Sequence, residues 1–186
     1  AVPTREPSVK YNGSIRTMQQ AMYDALLKYE GTPPKVKPWL AEKFDVSDDG
    51  MTYTFHLVKN AKFHNGDAVT AEAVRWSFER TLTIGKGPSW MLDDFLQAEN
   101  IKVVDDHTIT FKLDRPFAAF SSFLPWWYVM NPSQVMANEV DGDMGQKWLT
   151  ENEAGSGPYK LLRVEQGSLY ELDRVEDYWK GQKGNL

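Results

Sequence analysis

The chain has 186 residues, 41% hydrophobic and 25% charged, which is the balance of a folded protein and not of a disordered one. That length serves one large domain or two small ones and buries roughly 70% of the unfolded surface. With 21 basic and 26 acidic residues the net charge is −5, and no run of Lys or Arg supplies the basic footprint that a nucleic-acid backbone requires. Cysteine is absent, which excludes disulfides, thiolate catalysis and Cys-based metal sites.

The first residues, AVPTREPSVKYNGS, lack the charged-then-apolar order of a signal peptide. The chain is therefore expected either to be cytoplasmic or to have its export signal outside this sequence. No stretch reaches the ~18 apolar residues of a membrane-spanning helix. From Ser14 to Tyr29, Ile15, Met18, Met22, Ala25, Leu26 and Tyr29 recur at helical spacing, predicting one helix with Ser14 as N-cap. Gly31, Pro33, Pro34 and Pro38 predict its end and an extended connection.

Ala41 to Val46 reads as a strand, Ser47-Asp48-Asp49-Gly50 as a turn, and Met51 to Leu57 as a strand with Tyr53, Phe55 and Leu57 on one face. Thr70 caps a predicted helix to about Leu82, with Val74, Phe78 and Leu82 buried; Gly85 and Gly87-Pro88 stop it. Ile101–Val104 and Thr108–Leu113 form a second predicted hairpin. Short helices are expected at Ser133–Asn138 and Met144–Leu149. A last hairpin joins Tyr159–Val164 to Leu169–Arg174 through Gln166-Gly167. Strands come in hairpins, so the fold class is α+β with largely antiparallel sheets.

Several segments, in order, resemble the family 5 extracellular solute-binding proteins, the oligopeptide, dipeptide and nickel receptors of bacterial ABC importers. Tyr23-Asp24-Ala25-Leu26 is similar to the family's "YEGL", and Pro38-Trp39-Leu40-Ala41-Glu42 to "PxLAE". Asp48 to Phe55 matches "DDGxTYTF", and Phe63 to Glu72 matches "FHDGxPVTAED". Asp105-Asp106 with Thr110 to Leu113 resembles "DDYTVTFxL". Gly155-Ser156-Gly157-Pro158-Tyr159 resembles "GTGPY", and Asp177-Tyr178-Trp179 resembles "NPDYW". Val58, Asn65 and Ala73 depart from the pattern at surface and capping positions.

The resemblance implies a partial periplasmic-binding-protein-like fold of the peptide-binding type. Residues 1–38 and 154–186 would belong to an incomplete lobe I, residues 39–153 to a small accessory domain, and a second lobe would lie outside the sequence. It implies a monomeric, exported receptor, periplasmic or extracellular and lipid-anchored in a Gram-positive bacterium. Such a receptor would deliver a peptide or other small solute to an ABC permease, with no cofactor, no metal and no catalysis. Two alternatives are a carbohydrate-binding or carbohydrate-active module, suggested by 7 Trp, 8 Tyr and 9 Phe, and a cytoplasmic solute-sensing regulator domain.

In peptide-binding relatives the loop before the first helix faces the cleft, which here is Lys10 to Ser14. Tyr11, Asn12 and Gly13 are thus candidate ligand contacts, a helix N-terminus suiting an anion or carbonyl; equally, Asn12 and Ser14 serve as caps. Trp90, after Gly87-Pro88-Ser89, is a second candidate, with packing on Phe95 as its structural alternative. Trp126, Trp127 and Tyr128 cannot all face one side of a strand, so one ring is expected to be exposed or to face a partner, and Trp127 is the candidate. The acid pairs Asp93-Asp94, Asp105-Asp106 and Glu151 with Glu153 have ordinary turn or linker roles. His56, His64 and His107 lack metal-ligand spacing.

Overall fold

The computed structural model describes residues 6–9, 13–165 and 169–181. Its elements are α1 (Gly13–Met22), β1 (Leu27–Glu30), β2 (Lys35–Pro38), β3 (Ala41–Val46), β4 (Thr52–Leu57), α2 (Ala71–Ile84), β5 (Ile101–Asp105), β6 (Thr108–Lys112), α3 (Phe120–Phe123), α4 (Pro132–Met136), β7 (Tyr159–Glu165) and β8 (Leu169–Arg174). All described strand pairs are antiparallel. A four-stranded sheet has the order β3-β4-β6-β5, and β1-β2 and β7-β8 are separate hairpins.

β4 sits inside the sheet and alternates as its sequence demands: Tyr53, Phe55 and Leu57 are buried, while Thr52, Thr54 and His56 are half-buried. Across the register Phe55 faces Ile109 and Tyr53 faces Phe111. α2 lays Val74 and Phe78 over this face. Phe78 meets Phe111 at 4.8 Å between ring centroids and stacks on Trp127 at 4.9 Å. Each such ring taken out of water contributes roughly 1.5–3 kcal/mol. The ends of α2 follow its punctuation: Thr70 accepts from the Ala73 N–H, and Gly85 closes the helix at φ +64°.

Three expectations need correction. The helix predicted to Tyr29 stops at Met22, and Leu27–Glu30 is a strand. The apolar spacing suits a helix, but the backbone of this segment is claimed by distant partners. Met22 O accepts from Gly157 N–H at 2.9 Å, Asp24 O accepts from Val129 N–H at 2.9 Å, and Ala25 bridges Tyr128. Gly31 to Pro34 is accordingly a hairpin turn into β2, not the start of an extended link. Met144–Leu149 is no α-helix either: Met144 and Gly145 take positive φ, leaving one 3-10 turn at Trp148–Thr150. The Gln166-Gly167 turn lies outside the described residues.

A second apolar cluster gathers Met22, Tyr23, Ala25, Tyr128, Met130, Val135, Leu149 and Ala154. It closes where Gly155 and Gly157 press against the end of α1. A Cβ on Gly155 would stand 1.9 Å from Met22 O, and one on Gly157 would stand 2.5 Å from Ala21 O. Both atoms are backbone and cannot step aside. Gly155→Ala is therefore expected to destabilise by about 3 kcal/mol, read as a lower urea midpoint; an unchanged midpoint would refute this packing.

Candidate functional site

The residues singled out from the sequence converge only in part. α2 carries Arg80 toward the first described residues, Glu6 to Val9. The side chains of Arg80 and Glu6 are both fully buried, and Nη1 donates to Glu6 Oε1 at 2.7 Å. Nη1 also reaches Ser8 Oγ at 3.0 Å, and Nε donates to the Met144 carbonyl at 2.8 Å. Glu6 Oε1 accepts from the Ser8 N–H at 2.9 Å, and the Ser8 and Thr81 hydroxyls share a 2.8 Å bond. Two charges are tolerated in a dry interior only with bonds of this kind.

Beyond α2, Gly87 lies against the same segment: an added Cβ would fall 2.9 Å from the Ser8 carbonyl carbon and oxygen. Ser89 and Met91 of the following 3-10 turn are buried, which turns Trp90 outward at 58% exposure. The Trp90 loop and the chain entering α1 are therefore neighbours. Gly13 is the first residue of α1, so Ser14 lies within the helix and is not its N-cap. Tyr11 and Asn12 lie outside the described residues.

Trp127 is a correction. It is 2% exposed and lies in the main core against Phe78. The extended chain after Leu124–Trp126 sends successive rings to opposite sides, and two clusters are there to receive them. Tyr128 enters the second cluster beside Tyr23 at 6.1 Å, and the half-buried Trp126 is covered by the Arg16 guanidinium at 3.6 Å. Burial pushes the Tyr128 phenol up to about 12. Trp127 has no surface to offer a solute.

Sequence reasoning missed Asp24. Its buried carboxylate accepts from Trp39 Nε1 at 2.6 Å, Trp179 Nε1 at 2.9 Å, Tyr178 OH at 2.9 Å and Ser156 Oγ at 3.1 Å. Burial raises its pKa above the ordinary carboxylate value, against the pull of the four donors. The signal was present: an acid inside the apolar run Met22 to Leu27 has to find donors. A cavity of about 310 Å³ opens beside it, lined by Gln20, Lys28, Tyr29, Trp39 and Tyr128 among others. Two of its polar groups are already engaged: Tyr29 OH donates to the Ser122 carbonyl, and Lys28 Nζ lies 3.6 Å from the Trp39 ring centroid.

His64 is likewise structural. Nδ1 faces Glu153 Oε1 at 2.6 Å and Nε2 faces the Gly157 carbonyl at 2.8 Å, so both nitrogens meet acceptors, an arrangement that favours the imidazolium. Burial works to lower its pKa, but the Glu153 hydrogen bond and charge, the Gly157 carbonyl and the charge of Asp24 outweigh it, and the net shift is upward. Among the described residues no three His, Cys, Asp or Glu are grouped to hold a metal. Of the acid pairs, Asp93, Asp94, Asp105 and Asp106 are exposed, and Glu153 is bound to His64 and the Gly155 N–H.

A raised imidazole pKa stabilises the fold fully below the unfolded value of about 6.5 and loses that contribution as pH rises through the folded value. Thermal melts from pH 6 to 9 should therefore fall with pH more steeply in the native chain than in His64→Asn; parallel curves would refute the clasp. At pH 6 the substitution should cost roughly 3–5 kcal/mol, because Glu153 is left buried without its partner.

Comparison with known proteins follows the same geometry. Residues 35–186 match the family description "Bacterial extracellular solute-binding proteins, family 5 Middle". The chain is 36% identical to the probable D,D-dipeptide-binding periplasmic protein DdpA of Escherichia coli (strain K12), over 98% of its own length and 36% of that protein. It superposes on the dipeptide-binding protein of Pseudoalteromonas sp. SM9913, solved with Met-Leu, at a TM-score of 0.85 and 23% identity, covering 98% of this chain and 39% of that one. The binding protein AgaA of A. tumefaciens, solved with agropinic acid, gives 0.80 and 28%, covering 96% and 35%. The chain thus spans little more than a third of the relatives it matches, and it belongs to the family 5 bacterial extracellular solute-binding proteins.

Proposed function

We propose that this chain forms one wall of the solute-binding cleft of an ABC-importer receptor, and that the solute is a peptide. The observation that carries the reading is the junction of the Trp90 loop with the segment entering α1, held together by Gly87 against Ser8 and by Arg80 against Glu6. An exposed ring on a loop seated against Ser8 and Val9 offers a solute an apolar surface. The name of DdpA and the Met-Leu complex support a dipeptide as the first solute to try.

In this reading residues 1–38 and 154–186 belong to lobe I, residues 39–153 form the small domain, and the opposite wall comes from chain outside this sequence. The receptor is exported, works as a monomer, hands its solute to a membrane permease and binds no nucleic acid. It catalyses nothing, and solute capture depends on the two walls closing. The wall alone should bind weakly, since association carries a cost of several kcal/mol that half the contacts must offset.

Calorimetric titration of the intact native protein with dipeptides, and with opine and nickel–histidine controls, tests the solute class. Saturable dipeptide binding is expected, with Trp90→Ala weakening it about tenfold through loss of ring contact. Binding of a control solute alone, or an unchanged Trp90→Ala affinity, would overturn the peptide reading or the Trp90 contact respectively.

A further inference from the structure

We infer that Arg80 is the positioning residue of this wall: it sets where Trp90 stands relative to the chain entering α1. The inference rests on the reading above, and it concerns a residue that lies inside the protein and touches no solute.

Arg80 is the point at which three separate segments meet. From α2 its guanidinium grips Glu6 and Ser8 of the entering chain and the Met144 carbonyl of the segment before α4's downstream turn. That last segment is itself shaped by charge. Asp143 accepts from the N–H groups of Val140, Gly145 and Lys147 and keeps a lowered pKa from these bonds, while Met144 stands at φ +54°. A Cβ on Gly145 would come 2.4 Å from Val135 Cγ1, so the segment is also pressed into the second cluster. Thr81, the next residue of α2, ties its hydroxyl to Ser8. The entering chain is thus fixed at two successive positions of one helix.

Apolar packing would hold α2 against its neighbours as well as this pair does, and often better, because two charges lose their hydration on burial. What packing does not supply is direction. The guanidinium is a rigid planar fork, and its bonds fix both distance and angle to Glu6, Ser8 and Met144. Seven residues after Arg80, Gly87 meets Ser8 and Val9 backbone, and Trp90 follows on the short turn. A shift of Glu6–Val9 therefore moves the surface against which the Trp90 loop is seated. Arg80 acts on the solute through that loop and not by contact.

The test is a double-mutant cycle on the intact native protein, reading dipeptide affinity and melting temperature for Arg80→Met, Arg80→Lys, Trp90→Ala and the paired variant. Arg80→Met and Trp90→Ala should each weaken binding about tenfold, and the pair should fall well short of the hundredfold expected of independent sites, because both remove the same contact. Arg80→Lys keeps a charge near Glu6 without the fork and should lie between Met and the native residue; it also serves if Arg80→Met does not fold. Phe55→Leu, a change in the core beneath the four-stranded sheet, should lower the melting temperature with affinity unchanged. Arg80 variants that lower the melting temperature but bind within twofold of native, or losses that multiply, would overturn the inference while leaving the Trp90 contact standing. A Trp90→Ala protein with native affinity would overturn both.

Discussion

The carboxylate of Asp24 is the constraint on which the arrangement depends. It lies in the short irregular stretch between α1 and β1 and draws donors from Trp39, Ser156, Tyr178 and Trp179. Early and late parts of the chain are joined there at one pair of oxygens. Trp39 and Trp179 then pack edge to face at 5.9 Å, and Lys28 and Lys180 both lie over the Trp39 ring, at 3.6 and 4.3 Å. An indole N–H can only donate, so an acceptor held between the two half-buried indoles satisfies both N–H groups away from water. The carboxylate is the acceptor, and the rings shield it in return.

With the two ends joined, the return segment has only one way to run. It passes over Met22 with no room for a Cβ at Gly155 or Gly157, and His64 clamps it from the other side through Glu153 and the Gly157 carbonyl. The second cluster, from Met22 to Ala154, fills beneath it. The segment Met22 to Ala25 is thereby kept from continuing as a helix, because its carbonyls are already bonded to Gly157 and Val129. Local spacing favoured the helix, and the non-local bonds prevailed.

This separates what the sequence made legible from what it did not. β4, the Thr70 cap, the Gly85 stop and the β5–β6 hairpin were readable because each depends on neighbours within a few residues. The break at Gly87-Pro88 ahead of Trp90 was readable for the same reason. Trp127 was not. Whether a ring in an aromatic run faces core or solvent depends on what stands on either side, and here α2 supplies Phe78 from about 50 positions away in sequence. Arg80 and Asp24 were missed because a lone charge on a helix or in an apolar run carries no mark of its distant partner. The family motifs did better, since an ordered set of motifs encodes long-range partners indirectly: Asp24 of the "YEGL"-like segment meets Tyr178 and Trp179 of the "NPDYW"-like one.

The buried charges share one placement. Asp24 joins residues 132 to 155 positions apart to its own, apart from Trp39; His64 and Glu153 are 89 apart, and Arg80 and Glu6 are 74 apart. Each therefore bonds across a junction between segments and not to neighbours within its own element. Apolar burial supplies most of the cohesion of such a fold, but it is non-directional and tolerates small slides between packed surfaces. A hydrogen-bonded charge does not, because moving it leaves an ionised group in a dry site at a cost of several kcal/mol. Placing charges at the junctions fixes the relative position of the segments, and one of those junctions ties Glu6 and Ser8 to α2, the helix that leads into the Trp90 loop. For the solute wall proposed above, the fixed register between segments matters more than the stability of any single helix or hairpin.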